Sequence, residues 1–185
     1  MSIVLIGSTS GSITLQEPAI AGNTVLSLPA RTSTILGDDG AGKVRKADMP
    51  TGSVLQVVSA TSTSSFETTS SSFTQFLSAS ITPTSSSSRV LILATYGEPD
   101  VLTGYVRVNL FRNTSTSIFT LTTEFGRGIP QISESHYSGA SVQYLDSPNT
   151  TSATTYSLGL AVAISGTARI GNGGNHSIVL MEIAA

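Results

Sequence analysis

The segment GDDGAGKV at residues 37–44 has the glycine and lysine spacing of a phosphate-binding P-loop. A P-loop holds Mg²⁺ through a Ser or Thr hydroxyl directly after the lysine, whereas Lys43 is followed by Val44. The loop must also open a helix whose N-terminal amides bind the phosphates, but Pro50 follows within a few residues. We therefore expect no nucleotide site, and we interpret residues 37–52 as a glycine-rich hinge between two folded parts.

Two histidines are the other candidates for acid–base catalysis or metal binding. His136 lies beside Glu134 in a polar segment, and His176 begins the last predicted strand. Neither histidine has a second ligand at metal-binding spacing, and the many serines include no G-x-S-x-G nucleophile motif. We expect His136 to be a solvated surface residue and His176 to be an edge residue.

Paired carboxylates could cleave a glycosidic bond if they faced each other across a groove. Glu98 and Asp100 flank a proline in a predicted turn, which favours a solvated loop tip. Glu124 and Glu134 are separated by a segment that contains Arg127, which would neutralise them. These contexts argue against a glycosidase, and we expect the protein not to be an enzyme.

Asp38 and Asp39 leave open a calcium site formed by loop carboxylates, although no EF-hand pattern is present. The chain has no cysteine, so disulfides and thiolate zinc sites are excluded. We expect no bound cofactor and no metal.

Composition narrows the class of protein further. The 185 residues include 9 Lys+Arg and 11 Asp+Glu, and this balance argues against a nucleic-acid partner. Only 11% of residues are charged, while Ser and Thr make up roughly three in ten. Such hydroxyl-rich, weakly charged surfaces suit extended sheets and surfaces that pack against copies of themselves. No apolar run is long enough for a membrane helix, and MSIVLIG lacks the basic region of a signal peptide, so we expect a soluble protein made in the cytoplasm.

Alternating apolar residues and short runs rich in Val, Ile, Thr, Tyr and Phe predict an all-β protein. Eight strands are predicted at residues 54–60, 73–83, 88–97, 104–113, 117–126, 139–147, 155–166 and 176–185. Glycine and proline turns separate them, which favours an antiparallel β-sandwich of the jelly-roll type as a head domain at residues 53–185.

Two of these strands carry specific predictions about burial. Residues 73–83 place apolar side chains and one glutamine on one face, namely Phe73, Gln75, Leu77, Ala79 and Ile81. Residues 88–97 are continuously apolar, which is typical of a strand that is buried on both faces.

Residues 1–36 are predicted to hold three short strands, at 13–16, 24–28 and 32–36. A segment this short buries too little apolar surface to fold alone, and it has no cysteines or metal ligands to help it. Oligomerisation is the remaining way to stabilise it: either copies of this segment interlock and cover each other's strand edges, or the segment lies on a larger partner. We therefore interpret residues 1–36 as a docking and trimerisation segment. Its contact residues are predicted to be Ile13, Leu15, Val25, Leu26 and Leu28.

Aromatic residues near predicted loops are candidates for sugar stacking. Tyr96 and Tyr137 both lie beside turn signals and are the preferred platforms if the head domain binds a glycan.

Two parts of the chain resemble structural proteins of tailed bacteriophages. The first is the N-terminal segment GSTSGSITLQEPAIAGNTVLSLPARTSTIL. The second is the head, in which MPTGSVLQVVSA, SITPTSSSSRVLILATYG, YLDSPNTTSATTYSLGLAVA and IVLMEIAA are similar to the head domain that often follows that segment.

The resemblance implies a non-enzymatic virion structural protein on the surface of a phage particle. It implies a homotrimer that binds the major capsid protein or the tail proteins of the same virion. Typical fibres add an N-terminal adaptor and a repetitive shaft, neither of which is found here, and this favours a capsid decoration (cement) protein. The alternative is a short tail fibre or receptor-binding tip that contacts host surface glycans.

Overall fold

Strands account for the regular structure in the described part of the chain, which contains no α-helix. The computed structural model describes residues 2–6, 12–16, 46, 49–97, 100–101, 106–113, 115–125, 140–163, 166–171 and 175–185. The strands are β1 Ser2–Ile6, β2 Ser12–Gln16, β3 Val54–Ser62, β4 Phe66–Thr68, β5 Thr74–Ile81, β6 Arg89–Tyr96, β7 Asp100–Val101, β8 Val106–Arg112, β9 Thr116–Phe125, β10 Ala140–Asp146, β11 Thr154–Val162, β12 Ala168–Ile170 and β13 His176–Ile183. The all-β prediction is therefore confirmed.

The chain divides into two compact units, Met1–Ile35 and Leu36–Ala185. The boundary predicted between residues 36 and 37 lies close to this division. The predicted hinge at 37–52 falls mostly outside the described residues.

In the first unit, β1 and β2 form an antiparallel hairpin in which Ile3 faces Leu15 and Leu5 faces Ile13. The predicted strand at 13–16 corresponds to β2, whereas β1 was not predicted. The predicted strands at 24–28 and 32–36 lie outside the described residues.

The second unit contains all eight strands predicted for the head domain, namely β3, β5, β6, β8, β9, β10, β11 and β13. Three short strands, β4, β7 and β12, were not predicted, because two or three residues cannot show a recognisable alternation.

These strands form three antiparallel sheets. Sheet I has the order β10-β6-β13-β3, and sheet II has the order β5-β11-β8-β9. Sheet III is smaller and has the order β4-β12-β7.

One hydrophobic core takes side chains from both four-stranded sheets, so their packing is sandwich-like. Sheet I contributes residues such as Ile92 and Leu180, and sheet II contributes residues such as Leu110 and Leu158. Each of these four side chains is fully buried. Burying a side chain of this size stabilises a fold by about 1.5–3 kcal/mol, which makes this core the main source of stability.

A β-bulge changes the predicted face of β5. Leu77, Ala79 and Ile81 are buried as predicted. The register shifts between Leu158 and Gly159 of β11, and as a result Phe76 packs against the core in place of the predicted Gln75.

The same shift places Phe73 away from the core. Its ring meets Phe111 on the outer face of sheet II, with 5.3 Å between the ring centroids. The prediction that Phe73 shares the core face with Leu77 is therefore wrong.

The prediction that β6 is buried on both faces is also wrong. Val90, Ile92, Ala94 and Tyr96 point into the core and are buried. The alternate residues are half-buried or exposed, although two of them are leucines. An apolar strand thus shows half of its side chains on the outside of sheet I.

Candidate functional site

The outer face of sheet I is more apolar than a solvated sheet face should be. An antiparallel sheet with one solvated face normally alternates between apolar and polar residues. The two central strands depart from this rule, because β6 carries Leu91 and Leu93 outward and β13 carries Val179 and Met181 outward. All four side chains are half-buried between their neighbours.

The strand register arranges the outward side chains in rows that run across the sheet. The first row is entirely apolar and runs from β10 to β3 through Leu145, Leu91, Met181 and Val57. Its two ends are the most open, with Leu145 37% exposed and Val57 56% exposed. We call this the apolar row.

The composition of the rows changes along the strands. The row next to the apolar row is mixed and consists of Gln143, Leu93, Val179 and Ser59. The row beyond that has only hydroxyl side chains, Ser141, Thr95, Ser177 and Thr61, and we call it the hydroxyl row. The Thr95 and Ser177 hydroxyls are hydrogen-bonded at 2.7 Å. None of the three rows contains a charged residue.

Beyond the apolar row, Ile183 pairs with Val54 on one side and with Arg89 on the other. Val54 is 48% exposed and extends the apolar surface towards the end of β3. Arg89 is exposed and supplies a positive charge at this end of the face.

The middle of the outer face of sheet II, in contrast, is covered by side chains of the same sheet. Ser157 and Ala161 are fully buried although they lie on the outward side of β11. Phe111 lies so close over Gly159 that an added Cβ would stand 2.8 Å from its ring. Arg107 closes the same region by donating a hydrogen bond to the Ser71 carbonyl at 2.9 Å. The middle strands of sheet II therefore present little open apolar surface on this face, whereas those of sheet I present apolar side chains.

Two buried polar clusters hold the framework behind this face. In the first, Asp146 of β10 accepts hydrogen bonds from Arg112 of β8 at 2.9 Å and from the Tyr156 hydroxyl of β11 at 2.8 Å. Burial and the hydrogen bond to Asp146 raise the pKa of Tyr156. The cluster links an edge strand of sheet I to two strands of sheet II.

The second cluster surrounds Glu182 of β13, which is fully buried. Its carboxylate accepts hydrogen bonds from Gln56 of β3 and from Thr84, which lies between β5 and β6. Burial alone would raise the pKa of Glu182, but hydrogen bonds from Thr84 and Gln56 help to outweigh it, and the pKa lies below its usual value. These carboxylates are therefore structural, since their oxygens are already engaged within the protein.

Of the two residues predicted to contact glycans, the structure describes Tyr96 alone. Tyr96 is 1% exposed, and burial raises its pKa to about 12. A ring in this position offers no face on which a sugar can stack. Tyr137 lies outside the described residues.

The structure describes two of the five residues that were predicted to form contacts through the N-terminal segment. Ile13 and Leu15 lie in β2, opposite Leu5 and Ile3 of β1. Val25, Leu26 and Leu28 lie outside the described residues, so their role stays a prediction.

The candidates for catalysis are likewise dispersed or outside the described residues. His176 was predicted to be an edge residue, but it is 1% exposed and begins β13, an inner strand of sheet I. Asp100 begins β7 and Glu124 lies in β9, two strands that belong to different sheets. The other candidates for acid–base, calcium or phosphate chemistry are outside the described residues: Lys43, Asp38, Asp39, Glu98, Arg127, Glu134 and His136. Across the described ranges, no three His, Asp or Glu side chains are grouped as a metal site would require.

Sequence reasoning missed the outer face of sheet I, although a signal for it was present. The apolar run at 88–97 correctly indicated that β6 has apolar side chains on both sides. It did not reveal that the second side is open, because the period of a strand says nothing about what covers each face.

Neither a scan against models of protein families nor a search of the curated proteins found a match for this chain. Within the described residues, no helix has the length and apolar character to cross a membrane.

Proposed function

We propose that this chain is a non-enzymatic structural protein of a phage particle, a homotrimeric capsid decoration protein that acts by self-association on the virion surface. The observation that carries the self-association is the apolar row on the outer face of sheet I. The placement on a phage particle is supported by the resemblance of the N-terminal segment and of the head segments to virion proteins.

We also propose that the head domain is a jelly roll. The order of the strands supports this, because the eight long strands fall into two four-stranded sheets. Successive long strands cross from one sheet to the other at every step except β8 to β9. Two interleaved Greek keys produce this kind of order.

The partner that we propose for the outer face of sheet I is another copy of the chain. The three rows carry no charge and end in hydroxyl groups, so a second copy would bring no unpaired charge to the contact. The low overall charge of the chain fits surfaces of this kind. A closed ring of three copies also limits growth into open polymers.

The size of the face shows that it cannot be the whole interface. Four strands about 4.8 Å apart, with about six residues at 3.3 Å each, give a face of about 400 Å². A stable interface needs about 800 Å² on each partner. The remaining area in this proposal comes from the predicted trimerisation segment at residues 1–36.

Two substitutions at the ends of the apolar row test the proposal. In the full-length chain, Val57→Lys and Leu145→Lys place charges on the face without disturbing the core, since both side chains are exposed. Ser78→Lys on β5 is a matched control, because Ser78 is exposed and belongs to sheet II.

Light scattering after size exclusion would measure the mass in solution. We expect the wild type and the Ser78→Lys variant to have three times the chain mass of 19.0 kDa, and the double variant to lose mass. A wild-type protein that stays monomeric at micromolar concentration would contradict self-association. A trimer that the double variant leaves intact would show that the outer face of sheet I is not the contact.

The alternative placement, a short tail fibre or receptor-binding tip, remains to be distinguished from decoration. Burial of Tyr96 removes one of the two tyrosines that were predicted to contact a glycan. Quantitative gels of purified particles would separate the two placements. A decoration protein is present at many copies over the whole shell, whereas a fibre is present at only a few copies per tail.

A further inference from the structure

His176 is a buried titratable residue that the proposed function does not use. It is the first residue of β13 and its side chain is 1% exposed. The ring of Phe76 meets it edge-on, with 5.7 Å between the ring centroids. The imidazole therefore lies at one end of the core, away from solvent.

Backbone from three connections surrounds the ring. The Gly97 amide donates a hydrogen bond to Nδ1 at 3.3 Å. On the other side, a methyl group added to Gly171 would overlap Nε2, so the glycine backbone lies directly against the ring. The Ser64 carbonyl oxygen is 3.3 Å from the same Cβ position.

These three residues lie at the ends of the strands of sheet III. Ser64 lies between β3 and β4, Gly97 lies between β6 and β7, and Gly171 directly follows β12. The Gly171 amide also donates a hydrogen bond to the Gly97 carbonyl at 3.2 Å. Each strand of sheet III is thus joined to sheet I, at one of its two ends, through a connection that lies beside His176.

The hydrogen bond from Gly97 defines the protonation state of the ring. Nδ1 can accept a hydrogen bond only when it carries no proton, so His176 is the neutral tautomer with its proton on Nε2. A proton added to Nδ1 would point at the Gly97 N–H, so that two donors would face each other, and it would also place a charge in a buried site. Burial lowers the pKa of His176 below its ordinary value, and the Ser64 backbone partly opposes this effect.

Few charged groups lie on the elements around the ring. The described ones are Glu182 near the far end of β13, Arg89 at the far end of β6, and the Glu67–Arg169 ion pair, at 2.6 Å, which joins β4 to β12. The Tyr96 hydroxyl at the near end of β6 is neutral. Asp100 begins β7.

We propose that His176 is an acid-operated latch: protonation of its Nδ1 breaks the contact with Gly97 and releases sheet III from the rest of the domain. Sheets I and II stay packed against each other. Sheets I and II keep their own ladders of hydrogen bonds and their shared core, because His176 lies at the end of that core. Release of sheet III would expose the apolar side chains that it contributes, Phe66 on β4 and Ile170 on β12.

The direction of the pH effect follows from linkage. The folded protein binds a proton at His176 less readily than the unfolded chain, whose histidines titrate near pH 6.5. The stability that His176 contributes is therefore complete above about pH 6.5 and is lost as the pH falls. Between the pKa of His176 in the unfolded chain and its lower pKa in the folded protein, the equilibrium constant for release of sheet III should rise by up to about tenfold for each unit by which the pH falls.

Hydrogen exchange of the full chain, measured by mass spectrometry at about pH 7.5 and about pH 5, tests the latch. After correction for intrinsic exchange rates, we expect peptides from β4 and β12 to lose protection at the lower pH. Peptides from β6 and β11 should keep theirs. Equal protection of β4 and β12 at both pH values, or a uniform loss over the whole unit, would overturn the proposal.

Two variants assign the effect to the correct histidine. His176→Gln cannot be protonated in this range and should abolish the loss of protection. His136→Gln is the matched control and should retain it. An unchanged pH response in His176→Gln would overturn the proposal.

If His176→Gln does not fold, NMR of histidine-labelled wild type replaces it, and His136→Gln identifies the remaining signal. The His176 resonance should titrate below pH 6.5, at the same pH at which β4 and β12 open. An ordinary titration near pH 6.5 with sheet III still protected would contradict the latch.

Discussion

The carboxylate of Glu182 accepts hydrogen bonds from both the backbone amide and the hydroxyl of Thr84, at 2.6 and 2.7 Å. Thr84 lies in the connection between β5 and β6, so this contact ties that connection to β13. Gln56 of β3 donates to the other carboxylate oxygen at 2.6 Å. One buried side chain therefore fixes the entry to β6, the central strand that presents Leu91 and Leu93 on the outer face of sheet I.

Removing this carboxylate should destabilise the domain strongly. Glu182→Ala leaves the Thr84 amide and hydroxyl without this acceptor and removes one of the two acceptors of the Gln56 side-chain amide, and we expect a loss of about 3 kcal/mol in the free energy of unfolding. Urea denaturation measures this loss. Glu67→Ala is the control, because Glu67 pairs with Arg169 but is 48% exposed and should cost less than about 1 kcal/mol. Equal losses in the two variants would contradict the assigned role of Glu182.

Glu182 should also make the domain sensitive to acid. Its pKa in the folded protein is held below the ordinary value of 4.5 by hydrogen bonds that outweigh the effect of burial. The stability it contributes is therefore complete above about pH 4.5 and is lost as the pH falls below that value. Unfolding free energies measured between about pH 5 and about pH 3 should fall less steeply in Glu182→Gln than in the wild type. Parallel pH profiles would show that the acid response comes from other groups.

Gly159 should tolerate no side chain while Phe111 is present. A Cβ at Gly159 would stand 2.8 Å from the Phe111 ring and 3.3 Å from the Cβ of Phe73. We expect Gly159→Ala to lower stability by about 1–3 kcal/mol through overpacking. In a double-mutant cycle, Phe111→Leu should relieve part of that cost, because it removes the clashing ring atoms. Strictly additive losses would mean that the Phe111 ring is not the obstacle.

The hydroxyl of Tyr156 should contribute more than an ordinary tyrosine hydroxyl. It donates a hydrogen bond to the buried Asp146 at 2.8 Å, and hydrogen bonds to charged groups contribute about 1.5–3 kcal/mol. We expect a loss in this range for Tyr156→Phe, measured by thermal or urea denaturation. Tyr144→Phe is a suitable comparison, because Tyr144 is only half-buried and its change should cost less than about 0.5 kcal/mol. Similar effects of the two substitutions would argue against a strong bond to Asp146.

The sequence predicted the long strands well because their alternation is a local property. The eight strands of the head domain follow from the two-residue period and from Gly and Pro turns. Sheet III did not follow, because strands such as Asp100–Val101 are too short to have a period. The pairing of strands also lies beyond local pattern, since it depends on contacts between distant segments.

The faces of the strands were predicted less reliably than their positions. Phe73 and Phe76 exchange roles because β5 has one extra residue, Phe76, opposite Leu158 and Gly159 of β11, which shifts the register. Tyr96 was a candidate surface residue because it lies beside a turn signal, and His176 was expected at an edge because it begins the last predicted strand. Both are buried, and at His176 the cause is visible, because the Gly97 and Gly171 backbones lie against its ring.

The outer face of sheet I has a direction, since it changes from aliphatic side chains to hydroxyls over three successive rows. Neighbouring rows are about 6.7 Å apart along the strands. A partner placed two rows further along the strands would contact the hydroxyl row in place of the apolar row, and it would lose its apolar contact. The change in polarity along the strands therefore defines one preferred position for a partner that binds this face.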